Sequence, residues 1–276
     1  MSDAGDTGDT GDKDRYMVPG LERGLTLLRC FSREHPVHHP GDLARALDLP
    51  RSTVFRLLHT LETMGFLLRD GRENGYRLGP AVLGLGFEYL SALELPEIAQ
   101  PILEGLRDAT GASAHLAIRD RADIVYLSRY ASRSTLASNI RAGSRLAAHA
   151  SSMGRVLLSD LGDDEFDEIY GDGHALERFT DQTPRDVETL RAMLRDDAAR
   201  GYVVSRSFFE RGVVSVAAPL RDSTGRAVGA INITAAEQSV EQSTLEGEFK
   251  DKVCEAARVI SASLGGGTSP IRSAAE

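Results

Sequence analysis

Two short amphipathic helices joined by a tight turn, within Asp42–Met64, constrain the fold of this chain most strongly. The first helix places Leu43, Ala44 and Leu47 on one side, and the turn Asp48–Pro50 ends with proline at the first position of the second helix. The second helix carries an apolar stripe at positions i, i+3, i+4 and i+7. Its members are Val54, Leu57, Leu58 and Leu61. A stripe of this kind buries one helix face and fixes the direction of the other.

The opposite face of the second helix is polar. At about 100° per residue, four side chains point outward: Ser52, Arg56, His59 and Thr63. Hydrogen-bonding side chains on a helix that is anchored from behind can contact base edges and phosphates. We therefore expect five DNA contacts in this helix: Arg51, Ser52, Thr53, Arg56 and His59. The alternative is a surface helix hairpin with a solvated polar face.

Two short strands follow the helix pair. Gly65 ends the second helix, Phe66–Arg69 and Tyr76–Leu78 are predicted strands, and Asp70–Gly75 contains turn residues. A helix-turn-helix followed by such a hairpin is a winged helix. Its arginines are expected to contact flanking phosphates, and they are Arg69, Arg72 and Arg77.

The charge distribution supports this interpretation. The chain has a net charge of −9, but residues 17–79 carry a net charge of +2. A small positive excess predicts modest non-specific DNA affinity, so dimerisation would have to supply much of the binding.

Composition excludes several other classes of protein. No apolar run reaches membrane-spanning length, and the N-terminus lacks a signal-peptide apolar region. Cys30 and Cys254 lie far apart, so reduced thiols and a cytoplasmic location are expected. The histidines of His35–Pro40 have no carboxylate or cysteine partner at metal-ligand spacing, and we expect no metal and no cofactor.

The chain divides into five predicted segments. Residues 1–16 are a polar, low-complexity tail that we expect to be disordered, and residues 17–79 form the winged helix. Residues 80–95 form an apolar linker helix that needs a cover, such as its copy in a partner subunit. Residues 96–265 form the second domain, and residues 266–276 a flexible tail. A first helix in the winged domain is expected to pack on the other two through its apolar residues, Leu21, Leu25, Leu28 and Phe31.

The second domain alternates strands with helices. The expected strands are Ser113–Ile118, Ile124–Tyr130, Leu136–Ile140, Tyr202–Val204, Val213–Leu220 and Ala227–Thr234. The expected helices are Ile98–Thr110, Ser152–Leu161, Asp163–Tyr170, Asp186–Arg200 and a long helix over Leu245–Ile260. Hairpins with helices around them predict an α+β domain with an antiparallel sheet.

Seven motifs in order resemble the IclR family of transcriptional regulators. They are LERGL at 21–25, LPRSTVFR at 49–56, YRLG at 76–79, HASSMGR at 149–155, RGY at 200–202, SVAAP at 215–219 and AINIT at 230–234. The resemblance implies a winged helix joined by a linker helix to a GAF-like effector-binding domain. Residues 89–93 and 150–154 resemble most the branch that controls the β-ketoadipate pathway of aromatic-acid breakdown.

The resemblance also implies where an effector binds. Carried over motif by motif, the pocket residues are Ser151, Ser152, Ser205, Ser215, Asn232 and Thr234. Unpaired N–H groups at a helix that opens with two serines attract a carboxylate. Asn232 and Thr234 alternate onto one strand face. For each serine the alternative is a plain helix cap or a satisfied core hydroxyl.

The chain departs from the family pattern after the Gly-Tyr strand. Relatives usually carry acidic residues where this chain has Arg206, which Phe208 and Phe209 follow. We expect Arg206 to pair with an effector carboxylate and one phenylalanine to cover its ring. A surface arginine beside two core phenylalanines is the alternative, and Arg129 and Arg133 are other candidate anion partners.

Two further departures concern the helix pair. His39 stands where the family tends to place a Ser or Thr helix cap. Asp48 stands at the turn where Gly is common, and Asp tolerates the left-handed backbone better than most residues.

The predicted function is an effector-responsive regulator rather than an enzyme. Its expected partners are double-stranded operator DNA, a small aromatic or keto carboxylate, and a second copy in a homodimer or dimer of dimers, with no membrane. Neither a nucleophile elbow nor a phosphate-binding or dinucleotide fingerprint occurs in the sequence. The alternatives are an enzyme acting on a small metabolite and a sensor that regulates through protein contacts alone.

Overall fold

A computed structural model describes residues 16–71, 75–91, 94–132, 140–171 and 175–266 of the chain. The chain forms two compact units, residues 1–92 and 93–276. The predicted tail at 1–16 lies almost entirely outside the described residues, and so do Arg72, Arg133 and the final tail beyond residue 266.

The first unit is a three-helix winged domain followed by a fourth helix. Its helices are α1 (Pro19–Arg29), α2 (Pro40–Ala46), α3 (Arg51–Thr63) and α4 (Pro80–Ser91). Strands β1 (Leu67–Asp70) and β2 (Gly75–Leu78) pair antiparallel and form the wing. Exchanged backbone bonds between His38 and Tyr76, at 2.9 and 3.0 Å, attach the wing to the chain segment before α2.

The turn between α2 and α3 has the predicted backbone. Asp48 lies in the left-handed region with φ of 49°. The N–H of Leu49 returns to the carbonyl of Ala44 at 3.0 Å, which closes α2 and sets the direction of α3. The third helix ends at Thr63, and Gly65, two residues later, has φ of 77°.

The prediction for the packed face of α1 is wrong for two of its residues. Leu21 and Leu25 are 61% and 53% exposed, whereas Gly24 and Leu27 are buried. Gly24 faces Leu57 of α3, where an added Cβ would lie at an ordinary contact distance of 3.9 Å from Leu57 Cδ2. The helix is therefore rotated toward a face that the leucine pattern did not indicate.

The second unit contains a six-stranded antiparallel sheet, as the sequence predicts. Its strands, in the order β5-β4-β3-β8-β7-β6 across the sheet, are β3 (Ser113–Asp120), β4 (Asp123–Tyr130), β5 (Arg145–Ala147), β6 (Val203–Arg206), β7 (Val213–Arg221) and β8 (Ala227–Ala236). The predicted strand Leu136–Ile140 falls on residues that are mostly outside those described, and the described strand that pairs with the outer side of β4 is β5.

Helices cover both faces of this sheet. They are α5 (Glu94–Thr110), α6 (Ser152–Leu158), α7 (Asp163–Tyr170), α8 (Val187–Arg200) and α9 (Lys250–Ser263). Helices α6, α7 and α8 pack with Ala117, Ala217 and Ala230 on one face, and α5 and α9 lie on the other. A π-helical turn at Leu245–Phe249 precedes α9.

Some helix boundaries differ from those expected. Helix α5 begins at Glu94 rather than Ile98, with Pro96 in its first turn, where a missing N–H costs nothing. The described part of the expected linker helix is Pro80–Ser91, and its expected last two residues, Glu94 and Leu95, belong to α5. Within the described part of the chain, no helix is both long and apolar enough to cross a membrane.

Candidate nucleic-acid interface and effector site

The polar face of α3 is exposed and its apolar face is buried. Val54 and Leu58 are fully buried against the core of the first unit. Ser52, Arg56 and His59 are exposed on the other side, as the stripe predicts. The helix is thus fixed from behind and presents hydrogen-bonding side chains outward.

The N-terminus of α3 presents backbone donors beside these side chains. Pro50 is the residue before the helix rather than its first residue, and its carbonyl accepts from the N–H groups of Thr53 and Val54. The N–H groups of Arg51 and Ser52 precede the first intrahelical bonds. Thr53 is half-buried, so it is less accessible than its two neighbours.

An aromatic side chain joins the outward face of α3, and the sequence analysis missed it. Phe55 is 59% exposed beside Ser52 and Arg56. Its position outside the apolar stripe of α3 was the available signal. An exposed phenylalanine on a helix of this kind can contact the methyl group of a thymine.

The two described wing arginines point in different directions. Arg69 lies opposite Tyr76 in the hairpin register, with its guanidinium 5.3 Å from the ring centroid and its Nε 3.0 Å from a carboxylate oxygen of Glu62. Arg77 lies opposite Leu68 and is exposed on the other face. Glu62 partly compensates the charge of Arg69, so Arg77 is the freer candidate for a phosphate.

Four hydroxyl side chains cross one end of the sheet in register, and we call them the hydroxyl row. Ser205 pairs with Ser215, Ser215 with Thr234, and Thr234 with Ser113. Directly opposed residues share a face. The three serines are buried and Thr234 is half-buried. Three predicted effector residues from separate parts of the chain are thereby brought together.

A second row lies next to the first on the same face, since it is two residues along each strand. It contains Asn232, His115 and Arg129, which are directly opposed across β8, β3 and β4. We call it the histidine row. His115 belongs to the site but was not among the predicted residues, because its partner Asn232 lies 117 positions away in sequence.

A chain of hydrogen bonds connects the two rows. The ring Nδ1 of His115 lies 2.9 Å from Oδ1 of Asn232, and Nδ2 of Asn232 donates to Oγ of Ser152 at 3.3 Å. The hydroxyl of Ser215 donates to the same Oγ at 2.9 Å. Ser152, the first residue of α6, therefore bridges the helix and the sheet.

Ser151 has a structural task instead. Its Oγ accepts the N–H of Gly154 at 3.0 Å and caps α6. A side chain at Gly154 would lie 2.2 Å from the carbonyl oxygen of Ala148, so the turn before α6 requires glycine there. The alternative of a plain helix cap holds for Ser151, and its hydroxyl is committed to the fold.

The structure does not support the expected roles of Arg206 and the two phenylalanines. Arg206 lies opposite Val214, on the face away from the hydroxyl row, and its Nη1 is 3.3 Å from a carboxylate oxygen of Glu237. Phe208 lies over the guanidinium of Arg155 at 4.7 Å, and Phe209 packs on Phe179. Strand alternation separates Arg206 from Ser205.

Arg155 itself is part of a buried ion pair. Its Nε and Nη2 each donate at 2.8 Å to the carboxylate of Asp197, so α6 is clamped to α8. Both side chains are almost fully buried.

Two polar atoms in the histidine row lack a partner among the described residues: Nε2 of His115 and Nε of Arg129. His115 is fully buried. The pKa of His115 is lowered to about 4, mainly by burial; the bond to Asn232 opposes this shift, and the nearby charge of Arg129 contributes to it. The imidazole is therefore neutral at physiological pH.

Comparison with known proteins decides the family. Residues 20–71 match the IclR helix-turn-helix domain, and residues 87–262 match the bacterial transcriptional regulator IclR C-terminal domain. The chain belongs to the IclR family. This IclR-family protein thus combines a DNA-binding helix-turn-helix domain with an effector-binding C-terminal domain, and the matching families and relatives are transcriptional regulators rather than enzymes.

Individual relatives match most of the chain. The Pca regulon regulatory protein of Pseudomonas putida is 34% identical over 246 residues, covering 89% of this chain and 84% of the relative. A transcriptional regulator from Rhodococcus sp. RHA1 is 37% identical with a TM-score of 0.77, covering 90% of this chain and 98% of the other.

A third relative is known with a ligand. An IclR homolog from Microbacterium hydrocarbonoxydans, whose crystal structure contains 4-hydroxybenzoate, is 27% identical to this chain in sequence, with a TM-score of 0.76. It covers 90% of this chain and 100% of the other. The Pca relative agrees with the aromatic-catabolism branch that the sequence resembles.

Proposed function

We propose that this protein binds a pseudo-palindromic operator as a homodimer and changes its DNA affinity when a small aromatic or keto carboxylate occupies the C-terminal domain. The DNA-binding part of this proposal rests on the arrangement of α3. The apolar stripe of the helix faces the core, and the opposite face, with Ser52, Arg56 and His59, is exposed. A helix held in this way reads a major-groove half-site.

Two-fold symmetry supplies what one domain lacks. A +2 charge on residues 17–79 gives limited phosphate attraction, and a dimer doubles the contacts. Leu83 and Leu85 of α4 are 74% and 64% exposed, and a partner's α4 is the cover that we propose for them. An effector acts by favouring one arrangement of the paired linker helices over another.

The effector half is supported by the polar end of the sheet. Arg129 provides a positive charge and a buried Nε–H that has no partner among the described residues. Hydroxyls on the same face of the sheet come from Thr234, Ser215 and Ser205, at increasing distance from β4, and from Ser152 of α6. Nη2 of Arg206 is also buried without a partner among the described residues, but Arg206 is paired with Glu237 and lies opposite Val214 on the other face of the sheet. We therefore assign the carboxylate to Arg129. The Pca regulon relative and the 4-hydroxybenzoate complex favour an aromatic acid.

A gel-shift titration with DNA from upstream of the protein's own gene tests the first half. Affinity should fall by more than about a hundredfold between roughly 50 and 200 mM salt, because counterions are released from phosphates. The stoichiometry should be two protomers per site. A shift that is insensitive to salt, or no shift at all, contradicts DNA binding through the winged domain.

A thermal-shift panel tests the second half. Benzoate, 4-hydroxybenzoate and pyruvate are the probes, and a bound acid should raise the melting temperature by mass action. Arg129→Met should abolish this rise, whereas the comparison variant Arg206→Ala should retain it. Loss of binding in Arg206→Ala alone would restore the original assignment of the carboxylate.

A further inference from the structure

The two nitrogens of the His115 ring have different roles, and their surroundings define each one. Oδ1 of Asn232 faces Nδ1 at 2.9 Å, while Nδ2 of the same amide faces the Ser152 hydroxyl. A carbonyl oxygen accepts, so Nδ1 carries the proton in this arrangement. In the neutral ring, Nε2 is then a lone-pair acceptor.

This acceptor is buried and unused. Nε2 has no hydrogen-bond partner among the described residues, although His115 has no exposed surface. The ring is held edge-on to Tyr126, with centroids 5.6 Å apart. Leaving a buried acceptor unsatisfied is unfavourable, so a ligand that donates a hydrogen bond there gains affinity that a ligand without a donor cannot gain.

We propose that His115 determines effector specificity by accepting, at Nε2, a hydrogen bond from a hydroxyl group of the effector. The inference rests on the effector-binding function proposed above and adds the chemical class of the ligand, a hydroxylated carboxylate.

Neighbouring charge rules out the opposite role for this ring. A protonated His115 would bind a carboxylate directly, but Arg129 lies directly across from it in the strand register and disfavours a second positive charge. A carboxylate oxygen placed against Nε2 would bring two lone pairs together. The histidine row therefore orients the ligand, with the carboxylate on Arg129 and the hydroxyl on His115.

Isothermal titration calorimetry near neutral pH tests the proposal on the wild-type protein. The ligands are benzoate, its three hydroxy isomers and the matching fluorobenzoates, with propionate and lactate as a non-aromatic pair. Fluorine is similar in size to a hydroxyl but donates no hydrogen bond. At least one hydroxy acid should bind roughly 10- to 100-fold more tightly than both its unsubstituted parent and, for the aromatic acids, its fluoro analogue.

Three variants test whether the preference for hydroxylated acids depends on Nε2 of His115. His115→Asn keeps a donor for Asn232 and removes Nε2, so it should bind hydroxylated and unsubstituted acids equally. His115→Phe keeps the ring beside Tyr126 and should give the same result if the first variant fails to fold. His149→Phe, which changes another buried histidine of the same unit, should keep the preference.

The possible failures are distinguishable. If none of these acids binds, the proposed sensing of small carboxylates is wrong. If acids bind but hydroxyl and non-hydroxyl partners bind equally, an ordered water satisfies Nε2 and only the role of His115 is overturned. A preference that survives in His115→Asn also overturns it.

Discussion

The same side-chain types form two polar surfaces in this protein, one outside and one inside. On α3, Ser52, Arg56 and His59 are exposed to solvent. At the end of the sheet, Ser152, Ser215 and His115 are buried and joined through Asn232. Among the described residues, the first set has no side-chain hydrogen-bond partner, whereas the second is held by internal hydrogen bonds without a ligand.

This difference separates two kinds of recognition. Exposed side chains replace bound water with contacts to the charged DNA, and their contribution to DNA affinity depends on the salt concentration. Buried side chains have lost their water during folding, so each unpaired atom carries a cost that a matching ligand removes. Burial rather than residue type therefore decides how each surface selects its partner.

The largest expected contrast is between a buried and an exposed ion pair. Asp197→Ala leaves Arg155 buried without its carboxylate and should lower the free energy of unfolding by about 3–5 kcal/mol. Glu62→Ala breaks the exposed pair with Arg69 and should cost less than about 1 kcal/mol. Urea unfolding of the full-length protein and of each variant measures the two changes in the free energy of unfolding. Similar losses in the two variants would contradict the contrast.

Acid should weaken the sheet unit through His115. The pKa of His115 is about 4 in the folded protein and 6.5 in the unfolded chain, so the unfolded state binds the proton first as pH falls. The stability contribution of His115 is constant above pH 6.5 and decreases from there to about pH 4, by roughly 3 kcal/mol in all. Unfolding measured against pH should show this slope in the wild type and lose it in His115→Phe. An unchanged slope would mean that carboxylates alone cause the acid sensitivity.

Two arginines of the winged unit should separate specificity from general affinity. Arg56→Ala should cost about 1–3 kcal/mol on the operator and much less on unrelated DNA. Arg77→Ala should weaken both DNAs equally and reduce the salt slope by about one. Fluorescence anisotropy with both DNAs at several salt concentrations measures this, and equal behaviour of the two variants would remove α3 as the reading helix.

The smallest expected effect concerns neighbouring serines of the effector unit. Ser151→Ala removes the cap of α6 and should cost about 1 kcal/mol of stability without changing effector affinity. Ser152→Ala should lower both stability and effector affinity, since its buried hydroxyl joins α6 to Ser215 and Asn232 and its removal leaves their donors unpaired. Calorimetry combined with thermal unfolding distinguishes the two, and a loss of affinity in Ser151→Ala would return that residue to the site.

The sequence predicted side-chain exposure and backbone conformation correctly at two places where the pattern of a single helix or turn determines them. The stripe of α3 predicts which of its side chains are exposed, and Asp48 adopts the left-handed backbone expected of it. Helix α1 shows the limit of this reasoning. Leu21 and Leu25 fit one apolar pattern with Leu28, but the face that packs contains Gly24 and Leu27, and a glycine adds nothing to an apolar count.

The sequence was insufficient where strands far apart had to meet. The hydroxyl row depends on the register of β6, β7, β8 and β3, which no local pattern fixes. Arg206 was assigned to the pocket from its neighbours in sequence, but β6 extends through Arg206 and alternation turns it away from Ser205. His115 was missed for the same reason, because its significance comes from Asn232.

The dependence of the pocket on strand register constrains how relatives with other ligands can arise. Replacing one side chain in the hydroxyl row changes a single contact and leaves the rest in place. Inserting one residue into β8 would exchange Asn232 and Thr234 for Ile231 and Ile233 and place hydrocarbon at the proposed effector site. Diversification of ligand preference should therefore proceed by substitution, while the lengths of these strands stay fixed.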